Sequence, residues 1–402
     1  MNQFNILICL NLIQTKSINH LLMQNQKHLF DLSQEITYLN GAYMAPQLKS
    51  VTEIGMQSLQ KKSHPNEILP EDFFNDKEIL KQRFATLIDA PDYRNTAIIP
   101  SVSYGIANAA NNIPLQSGDE IILVDEQFPS NVYIWQEVAK KNNAIIKVVY
   151  PPKDFKDRGM LWNQHILDAI SPNTAVIALP HIHWADGTLF DLKAIREKTN
   201  MVKAMLVIDG TQSVGALPFS VQDIEPDALV CGGYKWLLGP YSIGMAYYSD
   251  AFNDGTPIEH NWMNRHNSED FSGLTNYEDR YKEKAARYSV GESSNFILTP
   301  MLINAIEQLI AWQPKNIQEY AKNISKDTIQ KLRELGCFIE NDSFRAHHLF
   351  GIYLPNQINL DELKVRLKRE QIFVSFRGNA IRVSCNVYNS EKDFERLLLQ
   401  FS

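Results

Sequence analysis

An acidic residue and a lysine follow two apolar runs in the middle of the chain. Asp209 closes the run AMLVID, and Lys235 lies in the glycine-rich turn GGYKWLLGP, directly after the run DALVC. If the two runs are neighbouring strands, the carboxylate and the amine lie at the same edge of a sheet. Such an amine can form a Schiff base with an aldehyde, and the carboxylate can keep a pyridine nitrogen protonated. The pair therefore predicts a pyridoxal phosphate site with Lys235 as its nucleophile.

Both residues also have ordinary explanations. Most lysines in turns are exposed, and an aspartate after a strand often serves as a helix cap or a turn residue. The surroundings of Lys235 favour the chemical interpretation, because Gly232 and Gly233 allow a ligand to approach the backbone and the other neighbours are mostly apolar or aromatic. A lysine that is partly removed from water has a lowered pKa and is available as a nucleophile.

Four further side chains could complete such a site. Ser101 and Ser103 follow the run TAIIP and open a predicted helix, where hydroxyls and free N–H groups bind anions. Phe128 offers a flat face for a pyridine ring, and Gln212 lies in the same turn as Asp209. The serines also fit a plain helix cap, and most phenylalanines belong to the core. The chain has neither a Walker A nor a GxGxxG motif, so no nucleotide cofactor is predicted.

Two arginines near the C-terminus are candidates for substrate binding. Arg382, in the apolar run AIRVSCN, could bind the carboxylate of an amino-acid substrate through its planar guanidinium. Arg377 competes with it for this role, and a structural ion pair is the alternative for Arg382. The HxH pair of His181 and His183 has no carboxylate or cysteine at matching spacing, so no metal site is predicted.

The composition limits the class of protein. The 402 residues include 39 Lys+Arg and 46 Asp+Glu, which gives a net charge of −7. A mildly acidic chain without basic runs is not expected to bind nucleic acid or an anionic membrane, and no apolar stretch is long enough to span a bilayer. The four cysteines are far apart and form no CxxC pattern, which predicts a reducing, cytoplasmic location.

Short apolar runs alternate with amphipathic stretches between about residue 95 and residue 250. The runs are TAIIP, EIILVD, AIIKVVY, TAVIALP, AMLVID, DALVCGG and GMAYYS. This alternation predicts an α/β fold with a largely parallel sheet, in which ligands bind beyond the carboxyl ends of the strands. Residues 255–295 show no clear period and are predicted to be loop. The patterns after them predict a smaller α+β C-terminal unit.

The same patterns suggest four segments. Residues 1–22 are predicted to be disordered or an artefactual extension, because Met23 opens a more ordinary start and FNILICLNLI lacks the flanks of a secretory signal. Residues 23–46 are expected to pack on the small domain. Residues 47–295 would form the large cofactor-binding domain, and residues 296–402 the small C-terminal domain.

Several blocks taken together resemble a known family. YLNGAYMAP, EQFPSN, VIDGTQSVG, GGYKWLLGP and RYSVGESSNF follow one another along most of the chain. In this order they are similar to the class V aminotransferase group of fold-type-I pyridoxal phosphate enzymes, which also contains cysteine desulfurases and isopenicillin N epimerases. The resemblance implies a large domain with a mostly parallel seven-stranded sheet, a smaller α+β C-terminal domain, and a homodimer with shared active sites.

The resemblance also implies roles for individual residues. Lys235 would form the Schiff base, Asp209 would face the pyridine nitrogen and Arg382 would hold the substrate carboxylate. The segment 291–295, with Ser293, would reach the phosphate in the partner subunit. The remaining cofactor contacts would come from a hydrogen bond of Gln212 to the phenolic oxygen, from stacking of Phe128, and from phosphate contacts of Ser101, Ser103 and Tyr234.

Departures from the group bear on the reaction. Desulfurases carry histidines where this chain has Phe128 and Tyr234, and an asparagine near the cofactor where it has Trp184. They also carry a reactive cysteine shortly before the substrate arginine, where this chain reads LKREQIFVSFRGNA. We therefore predict an aminotransferase acting on a small amino acid. The alternatives are a lyase (β-elimination, C–S lysis or desulfuration), an epimerase, and a non-catalytic relative that serves as a binding module.

Overall fold

The computed structural model describes residues 23–401 of the chain. The predicted N-terminal extension of residues 1–22 lies outside these residues. Within the described part, no helix is long and apolar enough to cross a membrane.

The helices and strands alternate through the first two thirds of the chain. The α-helices are α1 (Lys49–Lys62), α2 (Asn75–Leu87), α3 (Val102–Asn112), α4 (Tyr133–Asn142), α5 (Arg158–Ala169), α6 (Leu192–Val202), α7 (Val221–Ile224), α8 (Leu298–Trp312), α9 (Pro314–Glu334), α10 (Leu360–Arg369) and α11 (Glu391–Leu398). The β-strands are β1 (Thr37–Tyr38), β2 (Thr96–Ile99), β3 (Glu120–Val124), β4 (Ile145–Val149), β5 (Thr174–Pro180), β6 (Met205–Asp209), β7 (Ala228–Gly232), β8 (Gly244–Tyr248), β9 (Leu349–Tyr353), β10 (Ile372–Phe373), β11 (Ser375–Arg377) and β12 (Ala380–Ser384).

All seven apolar runs form one sheet. Its strand order is β2-β8-β7-β6-β5-β3-β4, and only β8 runs antiparallel to its neighbours. The predicted α/β fold with a mostly parallel sheet is therefore confirmed. The strands other than β4 are mostly apolar and buried because helices cover both faces of such a sheet, whereas the edge strand β4 is partly exposed and carries Lys147.

Alternate side chains of the strands supply two apolar clusters, one on each face of the sheet. In β2, Ile98 belongs to the first cluster, whereas Ala97 and Ile99 belong to the second. Helices α2 and α8 complete the first cluster, for example with Phe84, and α3 and α4 complete the second, for example with Trp135. The sheet is thereby a rigid support for the loops at its edge.

The register of β6 and β7 brings the predicted acid and amine to one place. These strands are parallel, and Asp209, the last residue of β6, lies opposite Val230 of β7. The turn that carries Lys235 begins directly after Gly232, so both groups emerge at the carboxyl edge of the sheet. Ligands bind at this edge in open α/β sheets.

The C-terminal residues form a second, three-stranded antiparallel sheet in the order β11-β12-β9, with α9, α10 and α11 beside it. The N-terminal residues contact this part of the chain, since β1 pairs with β10 and Leu39 belongs to its apolar cluster. Between the two sheets, residues 255–295 form short 3₁₀ turns and loops without an α-helix or a long strand, as predicted. The division into domains stays a prediction.

Candidate active site

Two adjoining cavities lie at the carboxyl edge of the large sheet. The first encloses about 340 Å³, and the second, at its mouth, about 300 Å³. The predicted residues that line the first are Ser101, Ser103, Phe128, Trp184, Asp209, Gln212, Tyr234 and Lys235. The second shares Phe128, Trp184, Tyr234 and Lys235 with it and adds Arg377 and Arg382. The structure therefore brings together every predicted site residue except Ser293.

Lys235 is buried between aromatic rings. Its side chain is 6% exposed, and its Nζ lies 5.3 Å from the ring centroid of Phe128 and 5.5 Å from that of Tyr234. Burial lowers its pKa from 10.5 to about 8; the negative charge of Asp209 opposes this shift, and the charges of two arginines add to it. The interpretation of Lys235 as an ordinary surface lysine is therefore wrong, because the side chain is buried and a much larger fraction of it is neutral at physiological pH than for an exposed lysine.

Asp209 is buried at the bottom of the first cavity. Its Oδ1 accepts a hydrogen bond from the main-chain N–H of Thr211 at 2.9 Å, and burial raises its pKa above the usual value. The carboxylate is therefore in part a turn residue, as the alternative interpretation held. Thr211 was not predicted although it is two positions away; it lines the cavity, and its hydroxyl accepts a hydrogen bond from Gly232 N–H at 3.2 Å.

Gln212 is fixed by the chain behind the cavity. Its Oε1 accepts a hydrogen bond from Trp236 Nε1 at 2.9 Å, and its Nε2 donates to the carbonyl of Ala42 at 3.2 Å. The carbonyl of Gln212 lies 2.8 Å from Nε2 of the buried His348, whose Nδ1 contacts Gln318 on α9. Gln212 therefore has one amide hydrogen left for a ligand in the cavity.

The N-terminus of α3 forms the opposite end of the first cavity. Ser101 caps this helix, with its Oγ accepting from Tyr104 N–H at 3.3 Å, and it lies 3.0 Å from the hydroxyl of Ser103. Gly105 allows the helix to lie close to β7, because a Cβ there would be 2.7 Å from Val230 Cγ1. The end of the helix supplies partial positive charge and free N–H groups next to two hydroxyls, which suits an anion.

Arg382 and Arg377 form one wall of the second cavity. Arg382 is 1% exposed; its Nη1 donates to the carbonyl of Trp184 at 2.8 Å, and its Nη2 lies 3.4 Å from Ser375 Oγ. Burial lowers the pKa of Arg382 to about 9, and the charge of Arg377 contributes. Among the described residues, neither guanidinium lies within 4.0 Å of a carboxylate. The alternative of a structural ion pair for Arg382 is therefore wrong.

The turn that carries Trp184 is held by a buried ionic cluster that was not predicted. Asp186 accepts from Arg158 Nη1 at 2.8 Å and from the hydroxyl of Tyr353 at 2.9 Å, and it lies 3.3 Å from His183 Nδ1. Burial alone would raise the pKa of Asp186, but His183, Arg158 and the main-chain N–H of Thr188 together hold it well below its usual range. His183 thus has a structural partner, and residues 23–401 contain no group of three side chains placed to hold a metal.

Ser293 lies outside both cavities in this chain. It is buried in the turn before α8, and its main-chain N–H donates to the carbonyl of Val290 at 3.2 Å. Its predicted contact with the partner subunit's phosphate stays a prediction. The described cysteines, Cys231, Cys337 and Cys385, are also buried outside the cavities, and burial raises the pKa of the Cys385 thiol to about 12.

Comparison with known proteins identifies the family. A family profile described as Aminotransferase class-V matches residues 69–397. The chain is 25% identical over 323 residues to the uncharacterized aminotransferase YcbU of Bacillus subtilis, across 80% of this chain and 82% of that protein. It is 31% identical over 183 residues to a probable cysteine desulfurase of Mycolicibacterium paratuberculosis, across 45% of this chain and 26% of that protein.

Solved structures share the fold. A mutant of C-DES with glycine covalently linked to its pyridoxal phosphate superposes with a TM-score of 0.81 at 17% identity, over 93% of this chain and 98% of that chain. The cysteine desulfurase CsdA of Escherichia coli gives a TM-score of 0.78 at 17% identity, over 93% of this chain and 96% of that chain. The fold and the lysine–carboxylate cavity define an enzyme that depends on pyridoxal phosphate. The chain belongs to the class V aminotransferase family.

The residues of the first cavity fit this cofactor. An amine, a buried carboxylate and an aromatic face lie around one cavity, and the N-terminus of a helix closes one end of it. If the cofactor binds here, these groups would face its aldehyde, its pyridine nitrogen, its ring and its phosphate, respectively. Gly233 is also needed here, because a Cβ would lie 2.4 Å from the carbonyl oxygen of Ile243 and push the turn out of place.

Proposed function

We propose that this enzyme is an aminotransferase that acts on a small amino acid through Lys235. One observation carries the proposal: among residues 23–401, Lys235 is the one amine in the linings of the two cavities, which contain tyrosines but no histidine, cysteine or glutamate. A single base on one side of the substrate suits amino transfer, in which a proton leaves the α-carbon and would be returned to the cofactor carbon on the same side. Epimerisation from two opposite sides calls for a second proton donor, for which the described lining offers tyrosine hydroxyls rather than a second amine, an imidazole or a thiol.

Each residue of the site has a part in this proposal. Bound pyridoxal phosphate supplies the electron sink that makes the α-hydrogen of the substrate acidic. Asp209 holds the charge that keeps the pyridine nitrogen protonated, and Lys235 Nζ takes up and returns the proton. Arg382 orients the substrate carboxylate, and Phe128 with Trp184 excludes water from one side of the cavity. Ser101 and Ser103 bind the phosphate.

Desulfuration is the less suitable alternative for this chain. Persulfide formation needs a reactive thiolate near the substrate, whereas the described cysteines are buried away from the cavities. We further propose a cytoplasmic homodimer with shared active sites. Partly exposed aromatic side chains support the dimer: Trp262 at 39% and Phe271 at 38% exposure both contact the ring of Phe73, which in turn contacts Phe296, the residue after the 291–295 segment.

The test is a product analysis of the cofactor-loaded protein with a panel of amino acids and 2-oxo acids. An aminotransferase yields one 2-oxo acid and one new amino acid in equal amounts. Elimination would instead release ammonia, epimerisation would yield the D-amino acid, and desulfuration would release sulfide from cysteine. Any of these products without amino transfer would contradict the proposal, and a protein that takes up no cofactor would support the binding-module alternative.

Lys77 provides a matched control for the role of Lys235. It is also 6% exposed, and burial lowers its pKa to about 8 as well, but it lies on α2 and lines neither cavity. Lys235→Ala should lower kcat by several orders of magnitude, because the proton carrier is lost. Lys77→Ala should leave kcat within a factor of a few. Equal losses in both variants would point to folding rather than chemistry.

A further inference from the structure

Two arginines face the mouth of the site from one face of a β-hairpin. In the pairing of β11 with β12, Arg382 lies opposite Ser375, and Arg377 is two positions from Ser375 on the same strand. Side chains two positions apart on a strand share a face, so the two guanidiniums are diagonal neighbours. Both also lie over the ring of Trp184, at 5.1 Å for Arg377 and 5.9 Å for Arg382.

This positive charge has no neutralising partner in the described part of the chain. Neither guanidinium has a carboxylate within 4.0 Å there, and the Nε atoms of both are buried without a hydrogen-bond partner. Of the residues described, those lining the second cavity include Arg377, Arg382 and Lys235 but no acidic residue. Like charges on diagonal neighbours oppose each other, and burial adds a desolvation cost. An arrangement of this kind is stabilised by anionic groups of a ligand.

A single substrate carboxylate accounts for only one of the two arginines. Arg382 is the more buried, and its bonds to Trp184 and Ser375 fix its orientation deep in the mouth. Arg377 lies nearer the rim, next to the exposed Tyr43, and donates to the carbonyl of Phe376 at 2.7 Å. Its remaining N–H groups are therefore left for a second acceptor at the outer end of the cavity.

We propose that the preferred substrate is a dicarboxylic amino acid or its 2-oxo acid, and that Arg377 binds the distal carboxylate while Arg382 binds the α-carboxylate. This inference rests on the proposed function, since it names the substrate class of the same site. The cavity of about 300 Å³ is in the size range of small-ligand sites. Arg377 is then the residue that separates acidic substrates from neutral ones of the same length.

A binding experiment tests this arrangement without turnover. The cofactor-loaded protein is titrated calorimetrically with succinate and, for comparison, with propionate, which lacks the second carboxylate. Succinate should bind about 10- to 100-fold more tightly, the range expected for one added charge-assisted hydrogen-bonded contact. Arg377→Gln should bring the ratio close to one, and Arg377→Lys, which keeps the charge, should retain part of it. Equal affinities in the wild type would overturn the proposal.

Arg369→Gln is the matched control, because it removes one positive charge from an exposed position, 70% accessible and paired with Glu370. This variant should keep the full preference for succinate. A preference that Arg369→Gln loses as readily as Arg377→Gln would reflect net charge and would overturn the assignment.

Turnover of glutamate against glutamine and of aspartate against asparagine separates this inference from the proposed function. Amino transfer that is as fast with the amides as with the acids would overturn the inference and leave the aminotransferase proposal standing. A retained preference for succinate without amino transfer from any amino acid would overturn the aminotransferase proposal and leave the assignment of Arg377 to a distal carboxylate standing. Both proposals hold if kcat/KM favours the acids about tenfold or more and Arg377→Gln removes that advantage.

Discussion

The protonation of Lys235 can be measured before any cofactor is bound. Its pKa of about 8, against the ordinary 10.5, corresponds to about 3 kcal/mol in favour of the neutral amine. At pH 8 about half of the Lys235 side chains are then neutral, compared with roughly one in three hundred for an ordinary lysine. The burial that produces this shift is the first requirement for Lys235 to act as a nucleophile and a base.

Asp209→Asn is the informative perturbation, because the carboxylate opposes the effect of burial on Lys235. Asparagine has the same shape without the charge, so the pKa of Lys235 should fall below 8 in this variant. Lys77 is an internal standard: its pKa is also about 8, but Asp209 is not among the charges that act on it. The substitution should therefore leave the pKa of Lys77 unchanged.

The assay is trace acylation of the cofactor-free protein at pH values on both sides of 8, followed by mass spectrometry of the modified peptides. Only the neutral amine reacts, so the pH dependence of each peptide gives the pKa of its lysine. A midpoint for Lys235 near 10.5 would refute its burial. A midpoint that Asp209→Asn leaves unchanged or raises would refute the electrostatic coupling of the pair.

The same substitution should have the opposite effect on turnover. Asp209→Asn should increase the fraction of neutral Lys235 in the cofactor-free protein, yet in the proposed roles it removes the charge that would keep the pyridine nitrogen protonated. We therefore expect kcat to fall although the lysine is more often in its reactive form. If kcat instead followed the neutral fraction of Lys235, Asp209 would serve only the lysine.

Further substitutions test how much the buried charges of the site lower the stability of the fold and which contacts stabilise the site. In the folded, cofactor-free chain the pKa of Lys235 is about 8, below the 10.5 of the unfolded chain. Burial of the protonated amine therefore destabilises the fold fully below pH 8 and not above pH 10.5. Lys235→Met removes this amine, so the variant should be up to about 3 kcal/mol more stable at neutral pH in chemical denaturation. Arg158→Met leaves a carboxylate that is 3% exposed without its guanidinium and should cost about 3–5 kcal/mol. Arg83→Met, from an ion pair with 42% and 45% exposed side chains, should cost about 1 kcal/mol or less, and equal losses would contradict this explanation. Gly233→Ala places a Cβ 2.4 Å from a carbonyl oxygen, whereas at Gly232 the nearest atom is 3.4 Å away, so only the first should clearly lower Tm and cofactor uptake.

The large sheet could be predicted from the sequence because six of its seven strands, all except the edge strand β4, are largely buried. A strand of this kind is a short continuous apolar run, and the seven runs stand out against the amphipathic helices between them. The positions of Asp209 and Lys235 at the edge of the sheet follow from these runs, since Asp209 ends one run and Lys235 lies in the turn after the next. Helix α1 is less visible in sequence, because only Val51 and Gly55 of its fourteen residues are buried.

The residues that hold the site in place could not be predicted in the same way. His183 and Asp186 are close in sequence, but their partners Arg158 and Tyr353 come from α5 and β9. Contacts between such distant positions depend on the packing of two sheets. From sequence, the HxH pattern raises only the question of a metal site, for which the spacing of other ligands is unsuitable. In the structure, His183 lies next to the carboxylate of Asp186.

The relation between Arg377 and Arg382 depends on one turn. Gly378 lies in the left-handed region, with φ of +52°, and allows the chain to reverse tightly between β11 and β12. A shift of one residue in this register would turn Arg377 to the other face of the hairpin. From sequence the two arginines are rivals for one role, whereas in the structure they share a face and line one cavity.

The overall composition does not reveal the positive charge at the mouth of the site. The chain carries a net charge of −7, yet the mouth of the site is lined by Lys235, Arg377 and Arg382 without an acidic residue. Local burial strengthens the field of these three groups, while solvent screens the acidic surface outside. Without a ligand, the desolvation of these cations lowers the free energy of unfolding. Each bound anion offsets part of this desolvation penalty. Binding of a phosphate-bearing cofactor and then of a dicarboxylate should therefore raise the unfolding temperature in two separate steps.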